Sequence, residues 1–161
     1  MAAADLPYRP CVGIMVVNLQ GLVFVGQRRN MTTPAWQMPQ GGIDPGESPA
    51  QAAERELREE TGIKRAEILA ESRRWHSYDL PDHLIGKVWG GAFRGQTQKW
   101  LLLQFSGDDA EIDLGGEEGE FASWRWLPPA QLPQLIVPFK RPIYEAVLAE
   151  FAPLIEDLAI T

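Results

Sequence analysis

The chain is short of cysteine, histidine and positive charge, and each shortage removes a class of function. A single cysteine, Cys11, rules out an intrachain disulfide and any site built on several thiolates. It opens the apolar stretch CVGIMVVN and is expected to be a small buried hydrophobe. Two histidines, His76 and His83, without an H-E-x-x-H motif cannot make a histidine-rich zinc cluster. Any metal must then be held by carboxylates, which selects a hard cation such as magnesium or manganese. With 15 Lys and Arg against 22 Asp and Glu, the formal net charge is -7. That argues against duplex DNA, which needs a basic face, but not against a small polyphosphate, because divalent cations bridge acidic side chains and an acidic substrate. No apolar run approaches the roughly 20 residues of a membrane span. Met1 to Pro10 carries Asp5 and Arg9 rather than the apolar stretch of a secretory signal, so a cytoplasmic protein is expected.

What remains is an ordinary globular composition: 161 residues, 45% hydrophobic, enough for one sizeable core. No repeat, low-complexity tract or long linker divides it, so one domain over residues 1–161 is expected. Cys11 to Asn18 and Leu22 to Gln27 read as strands joined by the turn Asn18-Leu19-Gln20-Gly21. Trp36 to Met38 reads as a short strand ended by Pro39 and the Gly41-Gly42 pair. Ser48, Pro49 and Gln51 are N-cap, first helical residue and capping-box partner of a helix that Gly62 stops. Further strands are expected around Ile68 to Ser72, Trp100 to Phe105 and Ser123 to Leu127. A last helix after Lys140 presents Ile143, Val147, Phe151 and Leu154. Strands with a helix between them and a helix last suggest an α/β sandwich with a mixed sheet.

The helix after Ser48 carries the chemistry. At 3.6 residues per turn, Glu56, Glu59 and Glu60 fall within an arc of about 100°, beside Ala52, Ala53 and Ile63. Gln51, Glu54 and Arg58 point the other way. A glutamate run is usually a solvated face, but here that would leave the helix almost no apolar stripe to hold it down. Glu56 and Glu60 also repel at i, i+4 unless something neutralises them, and a divalent cation does. Gly41 and Gly42 are expected to take backbone angles closed to other residues and to approach the substrate. Glu47 and Arg55 are expected to pair, and Arg55 to help orient Glu59.

From Gly41 to Ile63 the spacing is G-x5-E-x7-R-E-U-x-E-E-x-G-U, with U apolar, and every position matches. That signature, together with YRPCVGIMVVN, WQMPQGGID, GQTQKW, EFASWRW and FKRPIY, resembles the Nudix hydrolases over roughly Tyr8 to Phe151. The similar branch contains RNA 5′ pyrophosphohydrolases and diadenosine tetraphosphate hydrolases. The resemblance implies an α/β/α sandwich and attack of metal-activated water on a phosphorus within a polyphosphate, with magnesium as cofactor and manganese able to substitute. It implies metal positions at Glu56, Glu59 and Glu60, a further carboxylate ligand or base at Glu120, and Gly41 beside them. Substrate contacts are implied at Arg9, Arg28, Gln40, Lys99, Lys140 and Arg141; for any one arginine the plain alternative is a solvated surface charge. Tyr78, Phe139 and Trp75 could stack a base, although core packing is the commoner role for each.

Asn30-Met31-Thr32 fits a glycosylation acceptor by chance. Gly115 to Glu120 is Gly-rich but has no P-loop lysine and reads as an acidic loop delivering Glu120. The leading expectation is removal of pyrophosphate from the 5′ triphosphate end of RNA, with cleavage of diadenosine tetraphosphate to ATP and AMP as the alternative. YDLPDHLIGKVWGGAFRGQTQKW leans toward the latter. A noncatalytic polyphosphate sensor would not need every carboxylate of the signature, and an adaptor with no ligand leaves them unexplained. A protein activator and the oligomeric state are left open.

Overall fold

The computed structural model describes residues 5–29, 35–116 and 119–160, with the side chains of 159 and 160 left aside. The Asn30-Met31-Thr32 triplet and Glu117-Glu118 of the acidic loop lie outside the described residues. The strands are β1 (Tyr8–Val17), β2 (Val23–Arg28), β3 (Trp36–Gln37), β4 (Gln40–Gly42), β5 (Ala66–Glu71), β6 (His76–Asp79), β7 (Gly95–Phe105) and β8 (Phe121–Leu127). The helices are α1 (Pro49–Thr61), the single turn α2 (Leu132–Leu135) and α3 (Arg141–Ile160). All eight strands join one mixed sheet of order β3-β2-β1-β7-β5, with β4 on β1, β6 on β7 and β8 on β2.

β1 is the spine. It runs parallel to β7 from Tyr8↔Gly95 to Val17↔Gln104. Helices cover both faces of the sheet, so the strand is buried without alternation from Cys11 to Val17. Val12, Ile14 and Val16 pack with Ala52, Ala53 and Leu57 of α1, whereas Met15 and Val17 pack with Ile143, Val147 and Phe151 of α3. The result is the expected α/β/α sandwich.

Helix α1 forms where the sequence places it. Ser48 Oγ accepts from Gln51 N at 3.2 Å, Gln51 Oε1 accepts from Ser48 N at 2.9 Å, and Gly62 closes the helix at φ 74°. That left-handed conformation costs glycine nothing. Four expectations change. β3 ends before Pro39 as expected, but the glycine pair is not a break after it: Gln40–Gly42 forms β4 and pairs with β1 through Cys11↔Gly42 and Gly13↔Gln40. β6 is a strand that its polar sequence HSYD conceals, formed because β7 offers it an antiparallel edge. Helix α1 does have an apolar stripe, with Leu57 buried alongside Ala52 and Ala53. On α3, Leu154 is 40% exposed and Ile155 is buried instead, since the residue four after Phe151 keeps to its face.

Candidate active site

One end of the sheet opens into a cavity of about 360 Å³ whose wall is drawn from most of the chain. Arg9 comes from β1, Arg28 from the end of β2, Gln40 to Gly42 from β4 and Tyr78 from β6. Glu56 of α1 and Glu120, just before β8, supply negative charge, while Lys140 and Phe139 come from the turn leading into α3. Arg9, Arg28, Gln40, Gly41 and Lys140 thus meet, together with Glu56 and Glu120.

Two candidates fall elsewhere. Lys99 projects from the α1 side of β7, 3.8 Å from Glu71 and over the Trp75 ring at 5.8 Å. Arg141 is exposed and donates from Nε to Pro133 O at 2.8 Å. Tyr78 is buried, lines the cavity and meets Phe139 at 5.4 Å between ring centroids. Trp75 is not core: it is 46% exposed, because it stands in the connection before β6.

The glycines act through space, not dihedral angle. Neither Gly41 nor Gly42 has a positive φ. A Cβ at Gly41 would sit 2.1 Å from Glu56 Cδ, and one at Gly42 would sit 2.6 Å from Arg9 Nη2. The missing side chains let a carboxylate and a guanidinium lie directly on the strand.

Arg55 organises the helix and the loop before it. Its Nε and Nη2 donate to the two Glu47 oxygens at 2.7 and 2.9 Å, Nη1 donates to Glu56 Oε1 at 2.8 Å, and Nη2 also reaches Gly42 O at 2.9 Å. Glu59 is an outer partner at 3.4 Å, with its side chain 60% exposed. The three helix glutamates therefore do not share one inward face equally: Glu60 is buried, Glu56 partly so, and Glu59 lies at the solvent edge. The arc spans about 100°, and it meets the sheet at its Glu60 end, with Glu59 at the opposite end in solvent.

Glu60 is the electrostatic anomaly. It is 4% exposed, and among the described residues neither carboxylate oxygen has a hydrogen-bond partner. Burial pushes its pKa well up, the charges of Glu120 and Glu56 add to that, and Arg28 and the Gln40 backbone oppose it from outside bonding geometry. Burial also raises Glu56, which Arg55 partly offsets. Across the cavity, burial lowers Lys140 to about 8, with repulsion from Arg28 contributing. Its Nζ lies 5.6 Å from the Tyr78 ring centroid and 5.9 Å from that of Phe139.

Do these residues fit a divalent cation? Among the described residues no three His, Cys, Asp or Glu side chains are already drawn round one point. The orphaned oxygens of Glu60 nevertheless need a positive partner, and Glu56 and Glu120 are the negative charges acting on them. An all-oxygen donor set of this kind suits a hard cation. The residues fit.

The structure adds wall residues that the sequence did not single out. Gln37 is 3% exposed and its Nε2 donor has no partner among the described residues. Gln96 is buried in the wall and accepts from Gln98 Nε2 at 2.7 Å; Gln98 also donates to Gln40 Oε1 at 3.1 Å. Trp89 has φ 51, rare for a bulky residue, and its ring lies under Arg9 at 5.6 Å. Buried glutamines in a strand were the one available sequence signal, and GQTQKW shows them at alternate positions.

Residues 7–147 match the NUDIX domain. A curated protein of Novosphingobium aromaticivorans named RNA pyrophosphohydrolase is 60% identical over 158 residues, 96% of this chain and 98% of its own. A protein of the same name from Rhodopseudomonas palustris is 54% identical over 164 residues, 96% and 94% of the two chains. Among solved structures, the E. coli dihydroneopterin triphosphate pyrophosphohydrolase superposes with a TM-score of 0.68 at 21% identity, covering 89% of this chain and 99% of that one. A C. elegans Ap4A hydrolase gives 0.61 at 18% identity, over 89% and 98%. At these identities the structural likenesses speak for the fold alone. Matched along most of its length and carrying the whole glutamate signature on α1, the chain belongs to the Nudix hydrolase family.

Proposed function

We propose that this Nudix hydrolase removes pyrophosphate from the 5′ triphosphate end of RNA, leaves a 5′ monophosphate, and so promotes RNA decay. One observation carries the reading: Glu56 and Glu120 face Arg9, Arg28 and Lys140 across a single cavity walled by the Tyr78, Trp89 and Phe139 rings. The relatives named RNA pyrophosphohydrolase, matching over nearly the whole chain, support it. A volume near 360 Å³ falls in the range of small-molecule sites, about 300–1,000 Å³, and admits a chain end rather than a duplex.

The reaction adds water to a phosphorus of the triphosphate. A phosphoanhydride P–O bond breaks, and its electron pair leaves with pyrophosphate. The proton lost by the water passes to a carboxylate of the wall, Glu56 or Glu120. Arg9, Arg28 and Lys140 offset the phosphate charge, and the aromatic rings offer faces for the first bases. Glu56, Glu59, Glu60 and Glu120, with the backbone at Gly41, would hold the divalent cation, assigned as magnesium with manganese as substitute. Such a cation, when bound, supplies charge that screens the phosphates and makes water acidic enough to attack. Arg55 sets the positions of Glu56 and Glu59 from behind. Among the described residues no helix is long and apolar enough to cross a membrane. We assign the activity to the cytoplasm, where RNA ends are available.

The test compares rates on a short 5′-triphosphorylated RNA and on diadenosine tetraphosphate with magnesium, using Glu60→Gln as blank. A clear preference for the RNA is expected. A much faster dinucleotide reaction overturns the RNA assignment.

A further inference from the structure

Glu120 enters the cavity at the end of a glycine-rich segment. Gly115 and Gly116, both at positive φ, and Gly119 surround it, and its own side chain is 55% exposed with Arg28 Nη2 at 3.7 Å. A carboxylate acting on water or a cation needs one fixed position, and glycines without side-chain packing cannot supply it. Something outside the loop must fix it.

Arg29, the residue after β2, meets that need. Its backbone N–H donates to Glu120 O at 2.9 Å. Its guanidinium donates from Nε to Gly119 O at 3.1 Å and from Nη2 to Phe121 O at 3.3 Å, and Nη2 also reaches Gly116 O. Three successive carbonyls, those of Gly119, Glu120 and Phe121, thus accept from one residue. The β2–β8 register shifts at the same place, from Gln27↔Ser123 to Arg28↔Phe121, so that Ala122 is bulged out. Bulges of this kind re-aim the neighbouring side chains. Phe121 is fully buried in the core facing α1, and a Cβ at Gly26 would strike its ring at 2.5 Å. The chain is therefore anchored in the core after Glu120 and strapped by Arg29 on both sides of it.

We propose that Arg29 is the positioning residue for Glu120, acting through the loop backbone and not through substrate. This rests on the reading of Glu120 as a working carboxylate of the site. A planar fork with several fixed donors is required, so lysine, a single charged point, cannot replace it.

The experiment uses Arg29→Ala, Arg29→Lys, Glu120→Gln and the Arg29→Ala/Glu120→Gln double variant. It measures kcat and KM on triphosphorylated RNA and amide hydrogen exchange across residues 113–121. For Arg29→Ala the expected result is a kcat loss of roughly 10–100-fold, the scale seen when supporting partners of functional ligands are removed. KM should stay within about twofold, exchange in the loop should rise, and Arg29→Lys should resemble Arg29→Ala. In the double variant the loss should equal that of Glu120→Gln alone, whereas a merely structural arginine would lower both backgrounds alike. Losses that multiply, or a KM effect rescued by lysine, overturn the proposal. Full activity of Glu120→Gln also overturns it, by removing the carboxylate to be positioned. Loop exchange then still shows whether the strap exists, so the two failures can be told apart.

Discussion

Arg55 and Glu47 form a two-pronged ion pair, Nε to Oε2 at 2.7 Å and Nη2 to Oε1 at 2.9 Å, that ties the loop before α1 to the second turn of the helix. Arg55 also holds Glu56, so this pair sets the geometry of the site from one step behind it.

Acid stability should depend on that pair. Hydrogen bonds from Arg55, then the Asp44 N–H, hold the Glu47 carboxyl down to about 2. Its pKa is lower folded than unfolded, where about 4.3 is usual. The stabilisation is thus complete above that value and lost as pH falls toward 2. Urea melts of wild type and Glu47→Gln should differ most near neutral pH and converge below pH ~4. A constant gap down to pH 3 would remove Glu47 as its source.

Gly41→Ala should cost turnover more than stability. The added Cβ would displace the Glu56 carboxylate, which lies 2.1 Å from that position at Cδ. A displacement of about 1 Å can lower kcat by roughly 100-fold. Thermal melting and kcat on the same preparation check this, and an active Gly41→Ala would show that Glu56 does not need that position.

Metal removal should register at Glu60. With its oxygens unpartnered, Glu60→Gln should fold as well as wild type without metal, because no buried charge has to be accommodated. Magnesium at 100 times its Kd stabilises by about 2.7 kcal/mol, worth roughly 5–11 °C in a domain of this size. Wild type should show that rise over an EDTA control, and Glu60→Gln should lose most of it. An undiminished rise in the variant places the cation elsewhere.

Substrate affinity should fall in alkali through Lys140. At about 8 in the free protein, the amine is charged at pH 7 and largely neutral at pH 9.5. A bound polyphosphate favours the charged form, so above pH 8 binding must recruit a proton. KM should then rise by up to about tenfold per pH unit. Lys140→Met should have a higher KM at pH 7 and a flatter profile. Parallel profiles would assign the dependence to another group.

Gln37 offers a donor that no described residue accepts. Gln37→Leu should preserve folding and raise KM for RNA about tenfold, the scale of one lost hydrogen bond to a charged or well-placed acceptor. An unchanged KM would mean that its partner is solvent.

Local spacing carried the parts of the molecule that are local. Ser48, Pro49, Gln51 and Gly62 fix α1 because capping and turn conformation depend on residues three or four apart. The glutamate signature could be read for the same reason, and so could β1, since a strand covered on both faces is apolar throughout. By itself the sequence determined the family, with its general need for a divalent metal ion, and the acid-rich helix. Which charges meet was decided by the tertiary structure. Lys99 and Gln98 are neighbours in the chain, but strand alternation puts Gln98 behind the cavity wall, bonded to its Gln40 and Gln96, and Lys99 on the other face with Glu71. Arg141 follows Lys140 directly, yet the turn into α3 aims it at Pro133. The cavity itself exists because β1 lies parallel to β7 and β8 adds to β2 at a shifted register, pairings between residues far apart in the chain that no window of local sequence specifies.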